Sequence, residues 1–177
     1  LLSLANRVVS KKPGGTPPKN ILVILLSEMG SLVLAHPMFT RLKQQYPEAS
    51  LHVLMFAKNR EVLDLLGVVP HENVLTLDDG SLSGLVRDSL NAVRAMRRRN
   101  IDAVIDCELF ARISSIFSYL SGAPLRAGFH RHTQEGLYRG SFINRPVLYN
   151  PYRHLTQQFL TLAAALVLLA LLLLLRL

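Results

Sequence analysis

Three short stretches carry the residues that could do chemistry. The first is Ser27-Glu28-Met29-Gly30-Ser31, where an apolar run stops and one acid stands among small polar residues. A carboxylate such as Glu28 at the start of a helix is placed to act as a general base on a hydroxyl. The free N–H groups of the same helix start, together with Ser27, Gly30 and Ser31, favour an anionic or hydroxyl-rich ligand. The plainer alternative is structural: Ser31 caps the helix and Glu28 complements its dipole.

The second stretch is Asp106-Cys107-Glu108-Leu109-Phe110-Ala111-Arg112. Two acids this close divide acid and base roles only if their environments differ. Alternatively Asp106 caps a helix and Glu108 pairs with Arg112 at helical spacing. The third runs from Gly128 to Arg139 and concentrates His130, Arg131, His132, Tyr138 and Arg139 between glycines. Loop residues of these types contact hydroxyls and phosphates. A solvated basic loop is the alternative, and a metal site is disfavoured because the two histidines have no further ligands beside them.

These stretches need elements to hold them. From residue 20 onward, short apolar runs alternate with helical patterns. The runs are Ile21–Leu26, Leu51–Phe56, Val74–Leu77, Ala103–Asp106 and Arg126–Phe129; the helical patterns are Ser31–Gln45, Asn59–Leu66, Gly84–Arg99, Ala111–Leu120 and Arg153–Leu166. Short apolar strands each followed by a helix predict an α/β fold with a parallel sheet covered on both faces. Right-handed crossovers make it a doubly wound, Rossmann-like sheet. In such sheets ligands sit outside the carboxyl ends of the strands. The first two stretches fall at such ends, so Glu28, Asp106 and Glu108 are expected around one crevice.

Composition narrows the class. The chain has 177 residues, half of them apolar, and 20 Lys and Arg against 12 acids, a formal +8. That is enough for one domain with a core. The basic excess suits phosphate-bearing substrates, anionic membrane surfaces or nucleic acid. The triplet Arg97-Arg98-Arg99 ends a helix, where cations complement the dipole. No aromatic residues interleave with it as a nucleic-acid stacking platform requires. No P-loop or G-x-G-x-x-G follows the first strand, which argues against an ATP or nicotinamide enzyme. The single cysteine, Cys107, forbids an intrachain disulfide and reads as a small core residue.

Residues 1–19 comprise an apolar stub and a basic Gly/Pro linker, as at the cytoplasmic end of a membrane-associated segment. A disordered leader is the alternative. Residues 167–177 form a leucine-rich tail. The apolar run Phe159–Leu175, seventeen residues, reaches the lower length limit of a bilayer span; a membrane helix and a buried interdomain helix are the two structural readings, the span being the less favoured.

The stretches ILVILLSEMGSLVLAHPMFTRLKQQYPEASLHVL, RRRNIDAVIDCELFARISSIFSYLSGAPLRAGFHR, EGLYRG and NPYRHLTQQFLTLAAAL together resemble glycosyltransferase family 9, the ADP-heptose:lipopolysaccharide heptosyltransferases. The resemblance runs from about Lys19 to Leu166. It implies a GT-B fold of two Rossmann-like domains, of which residues 20–166 would be the N-terminal, acceptor-binding one. It also implies inverting, metal-independent transfer from a nucleotide-sugar donor to a lipopolysaccharide-type or other lipid-linked acceptor, with no other cofactor. Peripheral contact with the inner face of a bacterial membrane follows, and the C-terminal donor-binding domain would be missing from this chain. Nucleic acid is not an expected partner. Two positions depart from the family pattern. The aspartate that follows the first-turn glycine, the family's base, is Ser31 here, and a basic residue near the end of the first strand is Leu25. A serine is no equivalent base at neutral pH without a partner. Glu28 has taken the role, another base serves, or the domain is a non-catalytic binding or scaffold module at the membrane.

Overall fold

The computed structural model describes residues 17–26, 28–109, 111–130 and 142–174, with side chains of the last helix described through Leu166. Within these residues the order is β1 (Asn20–Ile24), α1 (Met29–Gln45), β2 (Ser50–Phe56), α2 (Arg60–Leu66), β3 (Val74–Leu77), α3 (Leu82–Arg98), β4 (Ala103–Asp106), α4 (Arg112–Leu120), β5 (Leu125–Phe129), β6 (Arg145–Val147) and α5 (Leu155–Leu174). Ser27, Arg131, Tyr138, Arg139, residues 1–16 and the last three leucine-tail residues lie outside the described residues.

All six strands are parallel, in the spatial order β3-β2-β1-β4-β5-β6. The chain winds outward from β1 to β3, then jumps back to β4 and winds the other way. That reversal puts a topological switch point between β1 and β4. The expected doubly wound, Rossmann-like α/β sheet is what the chain forms.

The side-chain period of two explains the two covered faces. Ile21, Val23 and Leu25 pack with Leu32, Phe39, Leu63, Phe159 and Leu162, so α1, α2 and α5 cover one side. Leu22, Ile24 and Leu26 pack with Ala92, Met96 and Phe117, so α3 and α4 cover the other. Every residue from Ile21 to Leu26 is buried, and only an uninterrupted apolar run can fill such a strand.

Several boundaries differ from the sequence expectation, each for a local reason. Helix α1 begins at Met29, with extended Glu28 at the N-cap, so Ser31 lies in the first turn instead of capping it. Helix α3 begins at Leu82 because the Ser81 hydroxyl accepts the Gly84 N–H at 3.1 Å, a cap three residues upstream of the expected start. Strand β6 was not expected. It is three residues long, contains Pro146 and lies on the sheet edge, where a missing N–H costs least. Helix α5 runs without a break past Leu166. Its first half buries Phe159, Leu162, Ala163 and Leu166 in the core of this same domain. Among the described residues, no helix is long and apolar enough to cross a membrane.

The arginine triplet is partly spent on the fold. Arg97 Nε donates to the Leu120 carbonyl at 2.6 Å, capping the C-terminus of α4, and Arg99 Nη2 donates to the Glu72 carbonyl at 2.6 Å. Gly122, at φ +80°, lets the chain turn under the Arg97 guanidinium; a Cβ there would lie 2.5 Å from Arg97 Nη1.

One core position is strained electrostatically. His52, on the central part of β2, is buried, and neither ring nitrogen has a hydrogen-bond partner among the described residues. Burial, then the nearby positive charge of Arg99, pushes its pKa down to about 4. The fold therefore requires the neutral imidazole. The associated stability is fully present above the unfolded-state pKa near 6.5 and is lost as pH falls toward 4. Urea unfolding at pH 7 and pH 4 should show the parent chain losing on the order of 2 kcal/mol more than His52→Leu over that interval. Equal losses in the two proteins would show that His52 is not the acid-sensitive group.

Candidate site at the sheet switch point

The end of β1 is held from both sides. Its ladder continues past Ile24: the Leu25 N–H donates to the Leu54 carbonyl and the Cys107 N–H to the Ile24 carbonyl, both at 3.0 Å. At Leu26 the neighbouring strands have ended or diverged, and side chains take over. The Leu26 N–H donates to Glu108 Oε1 at 2.6 Å, and the Leu26 carbonyl accepts from Asn59 Nδ2 at 3.1 Å. Both Glu108 and Asn59 are buried. The backbone of one residue, Leu26, is thus gripped through its N–H and its C=O by a side chain from each flanking strand-to-helix connection. The Glu108 bond is the shorter because a carboxylate is the stronger acceptor.

Asp106 sets Glu108 in place. Fully buried at the end of β4, its Oδ1 accepts the Glu108 N–H at 3.1 Å, a side-chain-to-backbone turn that bends the chain over the sheet edge. Gly128, beside it on β5, allows close approach. A Cβ there would come within 3.0 Å of Ile143 Cδ1 and 3.3 Å of Asp106 Cβ.

Above this layer lies a cavity of about 480 Å³, lined by Leu25, Glu28, Ser31, Cys107, Glu108, Leu109, Ala111, Leu155 and Phe159. The starts of α1, α4 and α5 all contribute. The floor is apolar and the rim carries the polar groups, the usual composition of a small-molecule site. Glu28 is exposed, and its carboxylate makes no hydrogen bond to the first turn of α1. The first N–H groups of that helix have no acceptor within it. A Cβ at Gly30 would touch nothing within 4 Å, so the backbone there faces open space.

The structure therefore brings Glu28, Ser31 and Glu108 to one cavity, with Gly30 at its helix start and Asp106 below it. Arg112 is the first residue of α4, on the exposed side. His130 follows β5, where its N–H donates to the Val147 carbonyl at 2.8 Å. Ser27, Arg131, Tyr138 and Arg139 are outside the described residues. Cys107 is buried in the cavity lining. Among the described residues, no group of three His, Cys, Asp or Glu is placed to hold a metal ion.

Asn59 is the participant that sequence reasoning missed. It looked like the start of a helix, and nothing in the sequence signals a partner 33 residues away. Arg126, in the SGAPLRAGF stretch, is also internal: Nε donates to the Phe142 carbonyl and Nη1 to the Ala123 carbonyl, both at 2.6 Å, and the guanidinium lies over the Tyr119 ring.

A six-stranded, all-parallel sheet wound both ways from a switch point that carries a cavity defines the class of domain, a doubly wound, Rossmann-like α/β fold. No family model matches the sequence. Lipopolysaccharide heptosyltransferase 3 of Escherichia coli (strain K12) is 23% identical over 116 residues, which cover 64% of this chain and 33% of that protein. The E. coli heptosyltransferase WaaC with ADP-2-deoxy-2-fluoro heptose superposes with a TM-score of 0.68 at 18% identity, covering 82% of this chain and 47% of the other. A glycosyl transferase family 9 structure from Veillonella parvula DSM 2008 gives 0.71 at 15% identity, covering 89% and 43%. E. coli ADP-heptose LPS heptosyltransferase II gives 0.65 at 18% identity, covering 81% and 40%. The chain is heptosyltransferase-like, and the resemblance to glycosyltransferase family 9 is borne out. It spans a third of the curated relative and less than half of these solved structures.

The clamp on Leu26 makes a measurable claim. Glu108→Ala or Asn59→Ala leaves a buried peptide group unsatisfied and should cost about 1–3 kcal/mol in urea unfolding. Because both side chains hold the backbone of the same residue, the double variant should depart from additivity by at least about 0.5 kcal/mol. Strict additivity would mean that the two grips act independently.

Proposed function

We propose that this chain is the acceptor-binding half of a glycosyltransferase. The enzyme would move a sugar from a nucleotide-sugar donor to a lipopolysaccharide-type or other lipid-linked glycan. The observation that supports this best is the cavity at the switch point, with Glu28 and Ser31 at its rim, in a domain whose fold is that of the heptosyltransferases. Two solved structures of one relative, the E. coli heptosyltransferase WaaC, are with ADP and with ADP-2-deoxy-2-fluoro heptose, which supports a nucleotide-sugar as the donor class, bound by a second domain.

In this reading the acceptor hydroxyl lies over the start of α1. Glu28 takes its proton, and the oxygen attacks the anomeric carbon from the face opposite the nucleoside diphosphate. The new C–O bond forms as the bond to the diphosphate oxygen breaks, the diphosphate leaves with the electron pair, and the configuration inverts. Neither a metal nor a further cofactor is invoked. Acceptor phosphates would meet the helix N-termini, Arg112, His130 and the loop residues Arg131, Tyr138 and Arg139. Asp106 and Glu108 would hold the turn that carries Glu28, and Ser27, Gly30 and Ser31 would line the acceptor. The enzyme would work at the inner face of a bacterial membrane.

A second reading has its own support. Ser31 stands where the family's aspartate is expected, and Glu28 is solvent-exposed with no side-chain bond to its own helix. That pair of features suits a non-catalytic binding or scaffold domain at the membrane.

The two readings separate on Glu28→Gln in the complete protein, assayed with donor and acceptor. Loss of a general base should lower kcat by about 10²–10⁴-fold with little change in KM. Unchanged turnover removes Glu28 as the base. A parent protein that neither turns over nor binds nucleotide-sugars by calorimetry is the scaffold.

A further inference from the structure

Helix α3 covers one face of the sheet with Gly84, Ala92 and Met96, yet its outer side is not uniformly polar. Leu82, Val86 and Leu90 are 78%, 53% and 52% exposed. Spaced four apart, they form one line about 12 Å long down the helix, at 1.5 Å per residue. Arg87 and Arg94, seven residues apart, form a second line beside the first and are also exposed. With Ser83 and Asn91 these residues border a single open surface. The acid beside the stripe is Asp88. Its Oδ1 accepts from Arg87 Nε at 3.1 Å, and its Oδ2 accepts the Asp78 N–H at 3.1 Å.

We propose that this face of α3 docks on an anionic lipid bilayer, with Leu82, Val86 and Leu90 entering the interface and Arg87 and Arg94 on the headgroup phosphates. Three observations favour lipid over a protein partner. An apolar line with a parallel basic line is the pattern of an interfacial helix. The stripe is only three side chains wide in sequence and stands on an open surface, far short of the roughly 800 Å² per partner that a stable protein interface buries. The chain as a whole is +8, which adds long-range attraction to an anionic leaflet.

The geometry has a consequence for the site. Leu82 follows the carboxyl end of β3, on the same sheet edge as the cavity and two strands from β1. At strand spacings near 4.8 Å that is about 10 Å across the sheet. Docking through α3 would hold the cavity rim close to the headgroups. This extends the proposed function to a membrane surface but does not depend on transfer chemistry.

The test is co-sedimentation of the complete chain with vesicles of phosphatidylcholine alone or mixed with phosphatidylglycerol, without donor or acceptor. The parent chain should partition to the anionic vesicles more strongly than to neutral ones. Leu82→Ser, Val86→Ser and Leu90→Ser combined should abolish most of that binding. Arg87→Gln with Arg94→Gln should weaken it roughly tenfold or more, given the attraction of each basic residue to an anionic surface. Arg41→Gln with Lys43→Gln, the same charge change on exposed α1 positions, should leave it unchanged. All five α3 positions are exposed, so the variants retain the fold, which circular dichroism checks. The proposal is overturned if the parent chain binds neither vesicle, if the α3 variants bind as the parent does, or if the α1 control loses as much as the arginine pair. Turnover of the Glu28 variants is read separately, so either idea can fail alone.

Discussion

The central strand β1 is hydrogen-bonded along both edges and buried on both faces, and the point where it stops sets the position of every group around the cavity. A strand in that situation has no freedom to slip. A shift by one residue would exchange Ile21, Val23 and Leu25 with Leu22, Ile24 and Leu26 between two cores of different shape. The chain must therefore leave the sheet at Leu26. There β4 has ended at Asp106, and strands no longer satisfy the backbone of Leu26. Asn59 and Glu108 satisfy it instead. A buried, unpaired peptide costs more than most single contacts contribute, so this clamp is the link between sheet and site.

That link divides the acids of the site into different kinds of group. Asp106 is fully buried and engages the backbone of Glu108. Glu108 is buried and engages the backbone of Leu26. Glu28 is exposed at the cavity rim and makes no bond to its own helix. The first two hold backbone N–H groups of the turn, and the third stands exposed at the rim. The contrast is the physical ground for choosing Glu28 as the base within the proposed mechanism.

Much of the architecture was legible in the residues. Five of the six strands show as short, mostly apolar runs because a strand buried on both faces is filled mainly by apolar side chains, and all five helices show through their spacing. The crevice was legible too, since parallel sheets place their connections at one edge. What escaped were features whose signal is short or distant. Strand β6 has three residues and a proline. The Ser81 cap lies outside the apolar pattern that marks its helix. Asn59 meets Leu26 only after β1 and β2 have paired. His52 reads as an ordinary polar residue in a strand, and only packing shows that its ring is buried without a partner.

By itself the sequence determined the alternation of strand and helix, the parallel doubly wound sheet and the presence of an acid in the first turn, because periodicity and apolar runs are local properties. It also carried the likeness to heptosyltransferases in stretches such as ILVILLSEMGS and SGAPLRAGF. Only the tertiary structure decided which acids hold the backbone and which line the cavity. It alone turned Arg97 into a cap for another helix and left an apolar line exposed on α3. These outcomes depend on distances between residues far apart in the chain, and such distances exist only once the sheet has assembled.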